Sequence, residues 1–209
     1  MATKTLLTLF VVLSVLAGVA APALAQTGDD AALLKEVRQA FTLHGKLIPP
    51  EIFRDFGDGD LADSGAIWVT VDLEAAVGSN LYADDIKQDG KWLSQKKTNQ
   101  SLNGSEETGY TFIGTADNGL LVVLATYNDG GSGTFFTLHI LDAAAARGFD
   151  GDGKRYARIN LTVLRSVALG DRWGGQVSIA GNSVRIVTTR RGPAATGAPT
   201  TTTIAAERP

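Results

Sequence analysis

Cysteine is missing from this chain, and histidine and methionine nearly so: the 209 residues hold no Cys, two His and one Met. Without cysteine there can be no disulfide, no thiolate nucleophile and no thiolate-ligated metal, so the fold must be held by packing alone. Small exported domains of eukaryotic secretory routes commonly carry disulfides, so this composition fits a bacterial cell envelope better. Single histidines at 44 and 139 do not supply the paired imidazoles of a zinc hydrolase. An excess of positive charge is also lacking. The 19 Lys and Arg face 22 Asp and Glu for a net charge of −3, which leaves no basic face for nucleic acid. No Gly-rich loop is followed by the Lys-Ser/Thr pair that opens a phosphate-binding helix, and no internal repeat is evident.

Long apolar runs are absent except at the amino terminus. There Lys4 precedes the run Leu6–Ala21, which Pro22 ends, and the small residues Ala23 and Ala25 flank Leu24. Signal peptidase reads small side chains one and three residues before its cut, so 1–25 is expected to be a cleavable signal peptide, with Gln26 the first mature residue. The run falls short of the ~20 residues a spanning helix needs. No second one follows, so the mature chain should carry no transmembrane span and should be periplasmic or secreted.

The remaining length suits one domain. A helix is expected over about 29–44: Asp29 and Asp30 favour its first turn, Leu34, Val37 and Phe41 repeat at helical spacing, and Gly45 stops it. Pro49 and Pro50 lead into an irregular Asp/Gly-rich loop over 52–64. From 66 to 190 the pattern is strand after strand. Ile67, Val69, Val71 and Leu73 alternate with polar positions, and so do Ala157, Ile159, Leu161 and Val163. Hairpins are expected at Asp89-Gly90, pairing Ile86 with Leu93; at Asn118-Gly119, pairing Ala116 with Leu121 and Ile113 with Leu124; and at Gly181-Asn182, pairing Ile179 with Val184 and Val177 with Ile186. The second hairpin is apolar on both faces and belongs in the middle of a sandwich or barrel. Asp142 is placed to cap a single helical turn, Ala143–Arg147, that Gly148 ends. The Thr-, Ala- and Pro-rich segment 192–209 reads as a disordered tail. The fold expected is mainly β: an antiparallel sandwich or partly open barrel over 26–191 with one short amino-terminal helix.

Chemistry-bearing residues are few. Asp55, Asp58, Asp60 and Asp63 crowd into nine residues with Gly57 and Gly59 between them. Packed carboxylates on a flexible loop suit calcium, which takes 6–8 oxygen ligands. The stretch DFGDGDLAD resembles the calcium loops of FG-GAP and VCBS repeats: Asp55 and Asp63 match the outer ligands, while Gly57 and Gly59 stand where inner ligands belong. A second piece, GFDGDGKRY, matches the inner positions with Asp150 and Asp152 and lacks the outer acids. Such a loop would make the domain a calcium-assisted, carbohydrate-binding module, with Trp68, Trp92 and Trp173 available to stack on sugars. Ser132 with His139 and Asp142 or Asp129 is a candidate hydrolytic set, although Thr134 breaks the nucleophile-elbow pattern. The leading expectation is a non-enzymatic binding or structural domain that contacts an envelope component or extracellular ligand, through a sheet edge or face.

Overall fold

The computed structural model describes residues 28–54, 56, 69–78, 85–99, 104–189 and 198–208. Residues 1–25, expected to be a signal peptide, and the calcium-ligand candidates Asp55, Asp58, Asp60 and Asp63 lie outside the described residues, as does Trp68.

Within them the chain is mainly antiparallel β. Helix α1 (Gly28–Ala40) is followed by a small hairpin, β1 (Thr42–Leu43) and β2 (Lys46–Leu47), and a 3-10 turn, Pro50–Phe53. Strand β3 (Thr70–Asp72) runs into a short helix α2 (Leu73–Gly78), where the Asp72 carboxylate accepts the Glu74 N–H at 3.0 Å as a cap. Strands β4 (Lys87–Asp89), β5 (Trp92–Asn99), β6 (Gly104–Thr115), β7 (Leu121–Asn128), β8 (Phe135–Phe149) and β9 (Arg155–Asp171) then build one sheet with β3, in the order β3-β9-β8-β7-β6-β5-β4. The last strands, β10 (Gly174–Ala180), β11 (Ser183–Thr189) and β12 (Thr200–Ala205), form a separate three-stranded sheet.

The seven-stranded sheet is covered on both faces, which explains why its middle strand is apolar at every position from Leu121 to Ala125. Along β7, Leu121, Val123 and Ala125 join a core with Leu34, Val37, Phe41, Ile48 and Phe53 from α1 and the segment after it. The alternate residues Val122 and Leu124, with Leu120, join Trp173, Val184, Ile186 and Ile204 of the three-stranded sheet. A strand has period two, so only one sandwiched between two layers can be apolar at every position. Leu34, Val37 and Phe41 are the stripe expected to pack inward, and all three are buried.

The hairpin at Gly181-Asn182 has the expected register, Ile179 opposite Val184 and Val177 opposite Ile186. The other two differ. At the first, Gly90 takes φ +59° and is the first turn residue, not the second, so Gln88 rather than Ile86 faces Leu93. At the second, Ala116 and Leu120 close a three-residue turn with Gly119 at φ +84°. This pairs Thr115 with Leu121, and a bulge between Phe112 and Gly114 sets Thr111 against Leu124. The two one-residue slips cancel in parity, so Tyr110 and Phe112 lie on the α1 side and Ile113 on the other, the same faces that a two-residue turn would give them.

Three elements depart from expectation. The helix stops at Ala40 because Phe41 takes positive φ and leads into the β1–β2 hairpin, whose turn holds His44, also at positive φ, and Gly45. Ala143–Arg147 is no helical turn. It continues β8, since pairing with β9 from Ala143–Leu161 to Arg147–Ala157 outweighs the helix preference of alanine. The segment expected to be a disordered tail contains β12, which pairs with β11 from Ser183–Ala205 to Thr188–Thr200. Its β-branched threonines suit a strand, and Ile204 and Ala206 are buried under it.

Candidate functional site

A cleft of about 400 Å³ opens between α1 and the second half of β8. Asp30, Leu34 and Arg38, spaced four apart on one helix face, form one wall. Asp142, the four alanines 143–146 and Arg147 form the other, and Arg208 reaches in after β12. The volume lies in the range of small-ligand sites.

Charge in the cleft is arranged in pairs. Asp30 is 2% exposed and bonded to Arg147 Nη2, and Arg147 also donates to the Ala146 carbonyl at 3.0 Å. Asp142 takes two parallel N–H bonds from Arg208, both 2.9 Å, the fork-to-carboxylate geometry that is strongest for arginine. That hydrogen bond holds the Arg208 proton more tightly than usual. Arg38 differs from both. Its Nη2 donates to the Ala143 carbonyl at 3.1 Å, its Nε is buried without a hydrogen bond, and it has no carboxylate partner among the described residues. Among the described residues three guanidinium groups thus line the site against two carboxylates, one positive charge more than the carboxylates there balance.

The catalytic set considered from sequence is not assembled. His139 is 1% exposed and lies in the core against Phe53 and Phe56, with ring centroids at 5.6 and 5.7 Å. Its Nδ1 pairs with the Ser166 hydroxyl at 2.8 Å, and burial lowers its pKa to about 4. Ser132 sits exposed in the β7–β8 loop, its carbonyl taken by Arg172. Asp129 accepts the Gly131 N–H at 3.0 Å, and Asp142 is held by Arg208. Asp150, from the second acidic piece, accepts the backbone N–H groups of Asp152 and Lys154 at 3.1 and 2.7 Å and so stabilises its own turn. Among the described residues no cluster of three or more His, Asp or Glu side chains could hold a metal ion. Trp173 is buried, with Nε1 donating to Thr188 Oγ1 at 2.9 Å, and Trp92 packs edge-on against Phe136.

Of the residues that line the cleft, the sequence marks only Asp142 as a candidate, and that for a hydrolytic set with Ser132 and His139. Asp30 and Arg38 look like ordinary helix charges, and 143–147 reads as a helical turn. The one legible signal is that Asp30, Leu34 and Arg38 share a helix face. Among the described residues no helix is long and apolar enough to cross a membrane. No protein-family model, no curated protein and no solved structure matches this chain.

Proposed function

We propose that this chain is an exported binding domain of the cell envelope, one that holds an anionic ligand without transforming it, and that the cleft between α1 and β8 is its recognition site. The observation that carries this reading is Arg38: a guanidinium on the wall of a ligand-sized cleft, with no carboxylate partner among the described residues. A cation so placed is completed by a ligand carboxylate or similar anion. The alanine floor leaves room for it beside the apolar Leu34. Support for export is the order of Lys4, the apolar run, Pro22 and the Ala23/Ala25 pair.

The test is a titration of isotopically labelled protein with sodium acetate and succinate, followed by amide NMR. Shifts concentrated at Arg38 and Ala143–Ala146, and lost in Arg38→Ala, are the expected result. Shifts elsewhere only, or turnover of a peptide, ester or glycan by the purified protein, would sink the reading. Expression with the intact leader and sequencing of the purified amino terminus should give Gln26 first.

A further inference from the structure

We propose that the ligand is the carboxyl-terminal end of a peptide, bound as an added antiparallel strand on the free edge of β8 with its terminal carboxylate on Arg38. This rests on the reading of the cleft as a binding site and goes further in naming the ligand.

The argument begins with strand lengths. β9 pairs with β8 along its whole length, from Phe135–Asp171 to Phe149–Arg155. β7 pairs with it only from Phe135 to Leu141. Beyond Leu141, β8 therefore has a strand on one side alone among the described residues. The cleft lies on the other side and is lined by six consecutive residues, Asp142 to Arg147. A strand face presents every second residue, so an unbroken run of six is the signature of an edge.

The backbone there is turned toward the cleft. Arg38 Nη2 donates to the Ala143 carbonyl, which must then point at α1 and away from β9. In an antiparallel ladder the N–H and C=O of one residue address the same neighbour, and residues alternate between neighbours. Ala145 thus offers both its backbone groups and Ala143 its N–H to an incoming chain, while the Ala143 carbonyl is held by Arg38, which seats the guanidinium at the end of the groove. Their methyl side chains face the α1-side core, Ala143 buried and Ala145 packed against it. A larger residue in this run would narrow the gap between helix and strand.

Direction and end group follow from the walls. The groove is shut at its Ala143 end, where β7 begins opposite Leu141 and the β6–β7 turn holds Arg208 through the Asn118 carbonyl at 3.3 Å. A chain entering there must end there. Arg38 stands at that end with no carboxylate partner among the described residues, so the end that fits is a carboxylate and not an ammonium. A carboxyl terminus beside Ala143 makes the peptide run antiparallel to β8, as every strand pair among the described residues does. At roughly 3.4 Å per residue the groove takes about four residues. This mode draws affinity from main-chain bonds and selectivity from the end group.

The experiment uses the full chain as purified and four probes. These are an acetylated tetrapeptide of alternating alanine and valine with a free carboxylate, its carboxamide, the same acid with alternate amides N-methylated, and sodium acetate. The expected result is that the acid peptide binds about tenfold or more tighter than the carboxamide, the loss of a charge-assisted pair. The N-methylated acid should not bind, and Ala143 and Ala145 amide exchange should slow only with the unmodified acid. Arg38→Ala should erase the preference for acid over amide. Arg38→Lys, with the fold verified by circular dichroism, should retain part of it. Equal binding of acid and carboxamide overturns the carboxylate assignment, and equal binding of the N-methylated acid overturns strand addition. Acetate binding without peptide binding overturns this proposal and leaves the cleft reading standing, whereas silence from all four probes overturns both.

Discussion

Acidification should weaken the fold through one side chain, His139. Its ring is buried between Phe53, Phe56 and the Ser166 hydroxyl, and burial lowers its pKa from 6.5 to about 4. The sign follows from proton counting. Between those two values the unfolded chain binds a proton at His139 and the folded one does not, so stability falls as pH falls. The contribution is complete above pH 6.5, declines on the way to pH 4, and changes no further below it. The interval corresponds to about 3 kcal/mol, a large part of the ~5–15 kcal/mol that holds a typical domain together. Carboxylates titrate in the lower part of the same window, so the wild type alone is not decisive. The comparison needed is with His139→Phe combined with Ser166→Ala, which removes both hydrogen-bonding partners and keeps the aromatic packing. Urea unfolding at half-unit steps from pH 7.5 to pH 4 should show the two proteins converging, or crossing, by about 3 kcal/mol as pH drops. Parallel curves would refute the argument, since they would mean that His139 is hydrated or protonated inside the fold.

Other perturbations test the architecture. Ile204→Ala should cost about 2–4 kcal/mol in urea unfolding because Ile204 is buried against Val184, whereas exposed Thr201→Ala should cost under about 0.5 kcal/mol; equal and negligible effects would return 192–209 to a free tail. Arg147→Ala should cost about 3 kcal/mol, because it strips the guanidinium from the buried carboxylate of Asp30; a change under about 0.5 kcal/mol would mean that Asp30 is solvated. Gly175→Ala should cost at least about 1–3 kcal/mol, since a methyl there presses on the Val187 carbonyl and the Trp173 ring, and a thermal melt of the variant checks it.

What was legible from sequence was local. The antiparallel class and the Gly181-Asn182 register follow from turn chemistry and apolar pairing, which agree without reference to anything distant. The double-sided apolar pattern of β7 announced two covering layers, although not which segments would supply them. The register at Asn118-Gly119 was hidden because the same dipeptide serves two- and three-residue turns and a bulge further along shifts the count again. The cleft was hidden for a different reason. Alanines at 143–146 favour a helix when considered alone, and only β9, which follows them in the chain, makes them a strand. Arg208 was invisible because β12 depends on pairing across the gap from Thr189 to Thr200. Features created by length mismatch between strands, such as the free edge of β8, leave no mark in composition.

The two layers that cover the seven-stranded sheet come from opposite ends of the chain: α1 and its following segment on one face, the β10–β12 sheet on the other. The run Leu120–Ala125 is apolar and β-prone, without a charge or proline to interrupt it. Until β12 has arrived, the Val122 and Leu124 side is incompletely covered. Chain order therefore imposes a schedule. A ribosome delivers this sticky strand well before its last cover, and the nascent chain must survive an interval in which an apolar, β-prone segment is open on one side. A carboxyl-terminal truncation should for that reason lower soluble yield more steeply than it lowers equilibrium stability.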